Sequence, residues 1–387
     1  MRRRDFLRHC SDAGLALLAP SPARARPAAR YDQLLILVEL KGGNDGLNTL
    51  VPFADPTYYR LRPRIGLKRE TVLQLDERCA LHPALEPLLA LWQARELAIV
   101  QGVGYPKPNL SHFRSIEIWD TAARSDQYLD NGWLARAFAV APVPSSFAAD
   151  GVAVGSNDFG PLAGGNARSI VLADPAQFAR QARLAQSAQS ARAPANAALA
   201  HIRKVEADVL HAANGIASRV ELRTAFPPGP FGNATRAAAQ IAAAPAGVAA
   251  LRLTLGSFDT HQNQPGTHAA LFKQLAEGLV ALRAALLEHG RWESTLILTY
   301  SEFGRRAREN ASGGTDHGTA GVHFVLGGRV AGGLYGATPS LDHLDNGNLV
   351  HSVDFRSVYA SVLEHWWGIP AAGILAGRFA PLELLRS

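Results

Sequence analysis

Cysteine is almost missing from this sequence: 387 residues hold two, Cys10 and Cys79. Cys10 falls in a segment read below as removable. The remaining chain then carries one thiol, no internal disulfide is expected, and stability must come from packing. Cys79, beside Ala80 and Leu81, reads as a small core residue. Long apolar runs are missing too. No stretch reaches the ~20 residues that span a bilayer, so no transmembrane segment is expected. There is no Gly-Lys-Ser/Thr loop, dinucleotide fingerprint, Cys-x-x-Cys or haem motif, so neither a P-loop enzyme nor a cofactor-bound oxidoreductase finds support. Charge is not concentrated either. Of a net +6, residues 1–25 hold +3, from Arg2, Arg3, Arg4, Arg8 and Arg24 against Asp5 and Asp12. The rest, spread over a long chain, is no footprint for nucleic acid.

What is present begins with an address. Arg3-Arg4-Asp5-Phe6-Leu7 fits the twin-arginine pattern, Ala13–Ala19 is a weakly apolar run, and Ala23-Arg24-Ala25 is a small-x-small cleavage site. Residues 1–25 are expected to be a twin-arginine signal peptide, which makes the mature protein periplasmic or secreted. Residues 31–387 suit one elaborated α/β domain, with about 125–247 as peripheral insertions.

The chain is organised around Thr299–Leu326. The run STLIL before it reads as a buried strand, and HFVLGG closes it as another. Between them lie Glu302, Arg305, Asp316, His317 and His323, loosened by Gly313, Gly314 and Gly318. Two further strands end in similar loops. LLILVEL is a near-continuous apolar run of the kind covered on both faces. It leads into Gly42-Gly43-Asn44-Asp45-Gly46, a turn expected to throw Asn44 and Asp45 outward. Val248–Leu255 leads to Asp259 and His261. A fourth strand, ELAIVQGVG, precedes Asn109, Ser111 and the helical pattern RSIEIWDTAA. Ser111 reads either as a helix cap or as a nucleophile at a helix end that favours a developing anion. Helices and strands in alternation imply a mostly parallel, doubly wound sheet with helices on both faces. Such sheets place their sites at the carboxyl ends of the strands.

Two acidic-plus-imidazole pairs, Asp259 with His261 and Asp316 with His317, together with Asp45, would suit one or two divalent ions. Each pair also reads as a capped turn in which imidazole satisfies carboxylate. His112, His323, His343 and His351 could complete a coordination shell, although His323, opening a strand, reads first as a packed, hydrogen-bonded core residue. Glu302 reads as a ligand or as the partner of Arg305.

The segments VELKGGNDGLNTLVP, NLSHFRSIEIW, GSFDTHQNQ and YSEFGRR…NASGGTDHGTAGVHFVLGG resemble the exported bacterial family called domain of unknown function 1501, from about Gln33 to about Gly368. That family is similar in turn to the alkaline phosphatase and sulfatase superfamily. The resemblance implies an alkaline-phosphatase-like core and a metal-assisted site for phosphate or sulfate esters, small-molecule or glycan. It makes Asp45, Asp259, His261, Asp316 and His317 candidate ligands for zinc, manganese, magnesium or calcium, with Glu302 and His323 as further candidates from the residues themselves. Ser111 would be the nucleophile, and His112 or Arg305, by their proximity to these motifs, could orient the ester oxyanion. The sulfatase signature Cys/Ser-x-Pro/Ala-x-Arg is not met by Ser111-His112-Phe113-Arg114. The alternative is a secreted binding protein that keeps the fold without catalysis, its surface lined by aromatics of the Tyr128–Phe159 rim.

Overall fold

A computed structural model describes residues 28–172 and 220–386. The expected signal peptide and residues 173–219 of the expected insertions lie outside the described residues. Nine strands form one mixed sheet. In chain order they are β1 (Leu34–Leu40), β2 (Leu97–Gly104), β3 (Ala149–Val154), β4 (Ser169–Leu172), β5 (Val248–Leu255), β6 (Thr295–Tyr300), β7 (Gly321–Leu326), β8 (Gly333–Tyr335) and β9 (Val353–Asp354). Their order across the sheet is β8-β2-β7-β6-β1-β5-β3-β4, with β9 also on β2. The run β6-β1-β5-β3-β4 is parallel throughout. Strand β7 alone is reversed, pairing antiparallel with both β6 and β2.

The sequence of β1 shows why it is central. Leu34, Ile36, Val38 and Leu40 enter one hydrophobic core, while Leu35 and Leu37 enter the other. A period of two therefore buries every residue of a strand that is apolar except for Glu39, which is itself buried against Arg252. The first core is covered by α3 (Pro230–Ala243) and the 25-residue α4 (Gln264–Glu288). The second is covered by α1 (His112–Thr121), α2 (Trp133–Val140) and α5 (Phe355–Ala360), with Trp366 and Trp367 following α5. Cys79 is buried in the first core, as expected. No helix among the described residues is long and apolar enough to cross a membrane.

This topology gathers the loops of interest at one edge. Strands β1, β5 and β6 are parallel, so the segments after Leu40, Leu255 and Tyr300 emerge together. Strand β2 has the same direction, and reversed β7 receives the Asp316–Gly318 loop at that edge. Close approach there requires Gly42, which has φ +121° and lies against Phe258 and Asp259 so tightly that a Cβ would collide with their backbone. Glycine is the residue that fits such a position. Gly42→Ala is expected to cost about 1–3 kcal/mol from backbone conformation alone, before any displacement of the Asp259 loop. Equilibrium denaturation checks this, and an unchanged midpoint would contradict it.

Candidate metal centre

Three imidazoles and one carboxylate meet at that edge. His112 opens α1, Asp259 and His261 follow β5, and His317 precedes β7. Ligand atoms of His112, Asp259 and His317 all lie within 4.8 Å of one another. His317 Nε2 is 3.2 Å from Asp259 Oδ1, and His112 Nε2 is 3.4 Å from Asp259 Oδ2. His261 Nε2 lies 3.0 Å from Asp259 Oδ1 and 3.0 Å from His317 Nε2.

The far side of each ring decides its chemistry. His317 Nδ1 lies 2.7 Å from the Leu110 carbonyl, which can only accept, so this nitrogen carries the proton. His112 Nδ1 lies 2.9 Å from Glu302 Oε1, buried and acceptor-only when ionised. In the neutral rings both Nε2 atoms therefore turn a lone pair toward Asp259, itself an acceptor. Acceptor faces acceptor across about the distance that separates two ligands of a tetrahedral zinc, roughly 3.3 Å for bonds near 2 Å. A cation held between them satisfies all three groups, as protons on the two Nε2 atoms also would. His261 Nδ1 faces Asp316 Oδ1 at 3.4 Å, repeating the pattern more loosely. Imidazole backed by a carboxylate or carbonyl is the second layer typical of metal-binding histidines. Zinc and manganese suit this mixed donor set better than calcium, which prefers oxygen.

The electrostatics agree. The Glu302 hydrogen bond, aided by Asp259, raises the His112 pKa although burial opposes it, so the site favours positive charge at that ring. Desolvation would raise the Asp259 pKa, but the hydrogen bond and charge of Arg305 hold it down to about 2. The carboxylate is therefore anionic at any physiological pH.

Other candidates take different places. Asn44 and Asp45 are buried, not thrown outward. Asp45 caps the single helical turn Gly46–Thr49 and is bonded by Arg62, so it is not brought to the imidazole cluster. Glu302 is not paired with Arg305 but accepts from His112 and from Gly42 N at 2.9 Å, which places it behind a candidate ligand. Asp316 likewise stands behind His261. Arg305 is fully buried. Its Nε donates to Gly43 O at 2.7 Å, Nη1 to Thr315 O at 2.9 Å, and Nη2 to Gly42 O, to Phe258 O at 3.0 Å and to Asp259 Oδ1 at 2.7 Å. With those donors spent inside the protein, Arg305 cannot reach a substrate oxyanion; it fastens loops. Ser111 is exposed and makes no side-chain cap, although it precedes the first helical residue of α1. It is flanked by Leu110, which anchors His317, and by His112. His343 bonds Ser340 in an exposed loop and is not drawn in, and no bond joins His351 to the cluster.

His323 lies inside β7, packed edge-on against Trp119 with ring centroids 5.2 Å apart. Both its ring nitrogens are buried without a hydrogen-bond partner, and burial pushes its pKa down to about 3. It is a neutral core residue, remote in role from the cluster. Two groups escaped sequence reasoning. Arg62 sits among Arg60 and Arg64 with nothing to mark it, and Gln264 was visible only as part of the motif GSFDTHQNQ.

The chain belongs to the family described as "Protein of unknown function (DUF1501)", which matches residues 86–363. No curated protein matches it. Among solved structures it is similar to the C-terminal periplasmic domain of EcEptC from Escherichia coli in complex with Zn. That likeness has 11% identity, 76% of this chain and 72% of that one covered, and a TM-score of 0.35. Ps i-CgsB in complex with k-i-k-neocarrahexaose is similar at 11% identity, 89% and 72% coverage, and a TM-score of 0.32. Likenesses so distant carry no argument about chemistry.

The His323 pKa yields a signed expectation. Its folded value lies below the ordinary value of about 6.5, so the unfolded chain takes up the proton first. The stability it contributes is present above pH ~6.5 and is lost as pH falls toward 3. His323→Leu should flatten that acid limb in unfolding free energy measured from pH 7 to 4. His82 and His268, both pushed down to about 4 by burial, will retain part of the slope. An unaltered limb would contradict the assignment.

Proposed function

We propose that this protein is an exported, divalent-metal-dependent hydrolase of phosphate or sulfate esters, built on an alkaline-phosphatase-like core. The observation that carries the reading is the set of Nε2 lone pairs of His112 and His317 facing the carboxylate of Asp259, each ring backed on its other nitrogen. His112, Asp259, His317 and His261 would hold the ion. When bound, such an ion supplies Lewis-acid charge at an ester oxygen and lowers the pKa of a nearby hydroxyl. The rest falls to the chain. Ser111 offers an exposed hydroxyl between two residues anchored to the cluster. The first turn of α1 presents backbone amides and the positive end of the helix to an anion. In the proposed reaction Ser111 Oγ bonds to phosphorus or sulfur as the ester oxygen leaves with a proton. Water then cleaves the seryl ester, releasing phosphate or sulfate and restoring the hydroxyl. Residues 1–25 would direct the protein to the periplasm or outside the cell.

The aromatic rim favours a ring-bearing substrate. Phe113, next to His112, is 90% exposed, and Tyr128 is 74% exposed with the Arg114 guanidinium 3.8 Å from its ring centroid. Such faces suit a sugar or another small ring. The same surface would serve a binding protein without catalysis, and Ser111 separates the two readings.

Ser111→Ala is expected to retain the ion and to lose roughly 10³-fold or more in turnover of aryl phosphate or sulfate. Asp259→Ala and His317→Ala should lose the ion, measured by elemental analysis of the leader-free protein. Retained metal in both of these variants, or full turnover without the Ser111 hydroxyl, would overturn the proposal.

A further inference from the structure

Three carboxylates lie at the centre, Asp259, Glu302 and Asp316, and Asp45 is buried behind it, linked to the Thr260 and Thr315 loops through Gln264. Two guanidiniums already stand among them. Arg305 is bound to Asp259, and Arg62 is bound to Asp45 through Nη1–Oδ2 at 2.5 Å and Nη2–Oδ1 at 3.0 Å. The second pair is sealed, with side chains 0% and 1% exposed. Asp45 has no capacity left. Oδ1 also accepts from Leu47 N at 3.2 Å, and Oδ2 from Gln264 Nε2 at 2.5 Å. All four lone-pair sites of a carboxylate are thereby used. Arg62 is equally committed, donating Nε to Ala307 O at 2.9 Å, Nη1 to Asn48 Oδ1 at 2.8 Å and Nη2 to Arg306 O at 3.0 Å.

We infer that the centre is mononuclear, with the Arg62 guanidinium as a built-in cation on Asp45, a carboxylate thereby closed to a second ion. The inference rests on the metal-centre reading above and adds the count. Charge supports it. Four carboxylates against two guanidiniums leave −2 with neutral imidazoles, which one divalent ion neutralises. A second would place two surplus charges beside a buried guanidinium, where low dielectric makes like charge costly. A bidentate arginine also holds its carboxylate as a geometric fork that water or a mobile ion does not replace.

The test uses the leader-free wild-type protein loaded to saturation with Mn²⁺ or Zn²⁺ and freed of excess. One ion per chain by elemental analysis, with the six-line electron paramagnetic resonance of an isolated Mn²⁺, is expected. Two ions per chain, or the exchange-coupled spectrum of neighbouring Mn²⁺ ions, would overturn the inference while leaving the metal centre standing. No bound ion would overturn the metal centre and the inference together. Asp45→Asn adds a second readout: if folded, it should still bind one ion with affinity within about threefold of wild type. A tenfold or larger loss in a folded Asp45→Asn would make Asp45 a ligand and refute the assignment. If that variant does not fold, the wild-type count and spectrum still decide.

Discussion

The buried guanidinium of Arg305 is the interaction on which the site depends. Loops after β1 and β5 and the loop before β7 bring their backbone carbonyls inward at Gly42, Gly43, Phe258 and Thr315, where water does not reach them. Buried carbonyls need donors, and leaving several unpaired would cost on the order of 1–3 kcal/mol each. One planar group with five N–H donors answers four of them and adds the Asp259 carboxylate. The geometry of Asp259 is therefore inherited from a clamp spanning three loops. Gly42, which must lie against Phe258 and Asp259, is the steric counterpart of the same constraint.

Around this clamp the molecule keeps a local conflict. His112 and His317 are each tied at Nδ1 to an acceptor, so their other nitrogens face a carboxylate that cannot donate. A bound cation, or a proton on each Nε2, relieves that conflict between neutral rings and carboxylate. Regions that break local consistency in an otherwise consistent fold are commonly functional. Gln264 accepts from Thr260 and Thr315 while donating to Asp45, which joins the β1, β5 and β7 loops in one chain of bonds.

Much of the architecture was legible in the residues. The near-continuous apolar run of β1 announced a strand covered on both faces, and its alternate apolar side chains do enter two cores. Val248–Leu255 was bounded without error, and the pairs after it and before β7 were placed at one sheet edge by counting strands and helices. Local pattern could not tell which carboxylates face a shared centre and which are consumed by arginine. Asp45 and Glu302 both follow apolar strands. One is consumed by Arg62, a residue seventeen positions away in an arginine-rich segment, and the other backs an imidazole on α1. His323 was open for a related reason: in a β-strand a histidine can face the site or the core, and the packing of Trp119 settles it for the core reading.

The measurement that bears most directly on the centre is X-ray absorption at the zinc edge of the zinc-loaded, leader-free protein. The expected first shell holds two or three imidazole nitrogens, with their outer-ring scattering, and a carboxylate oxygen near 2 Å, as such ligands bind zinc. A shell of oxygen alone, without imidazole scattering, would contradict convergence of His112, His317 and Asp259 on one ion.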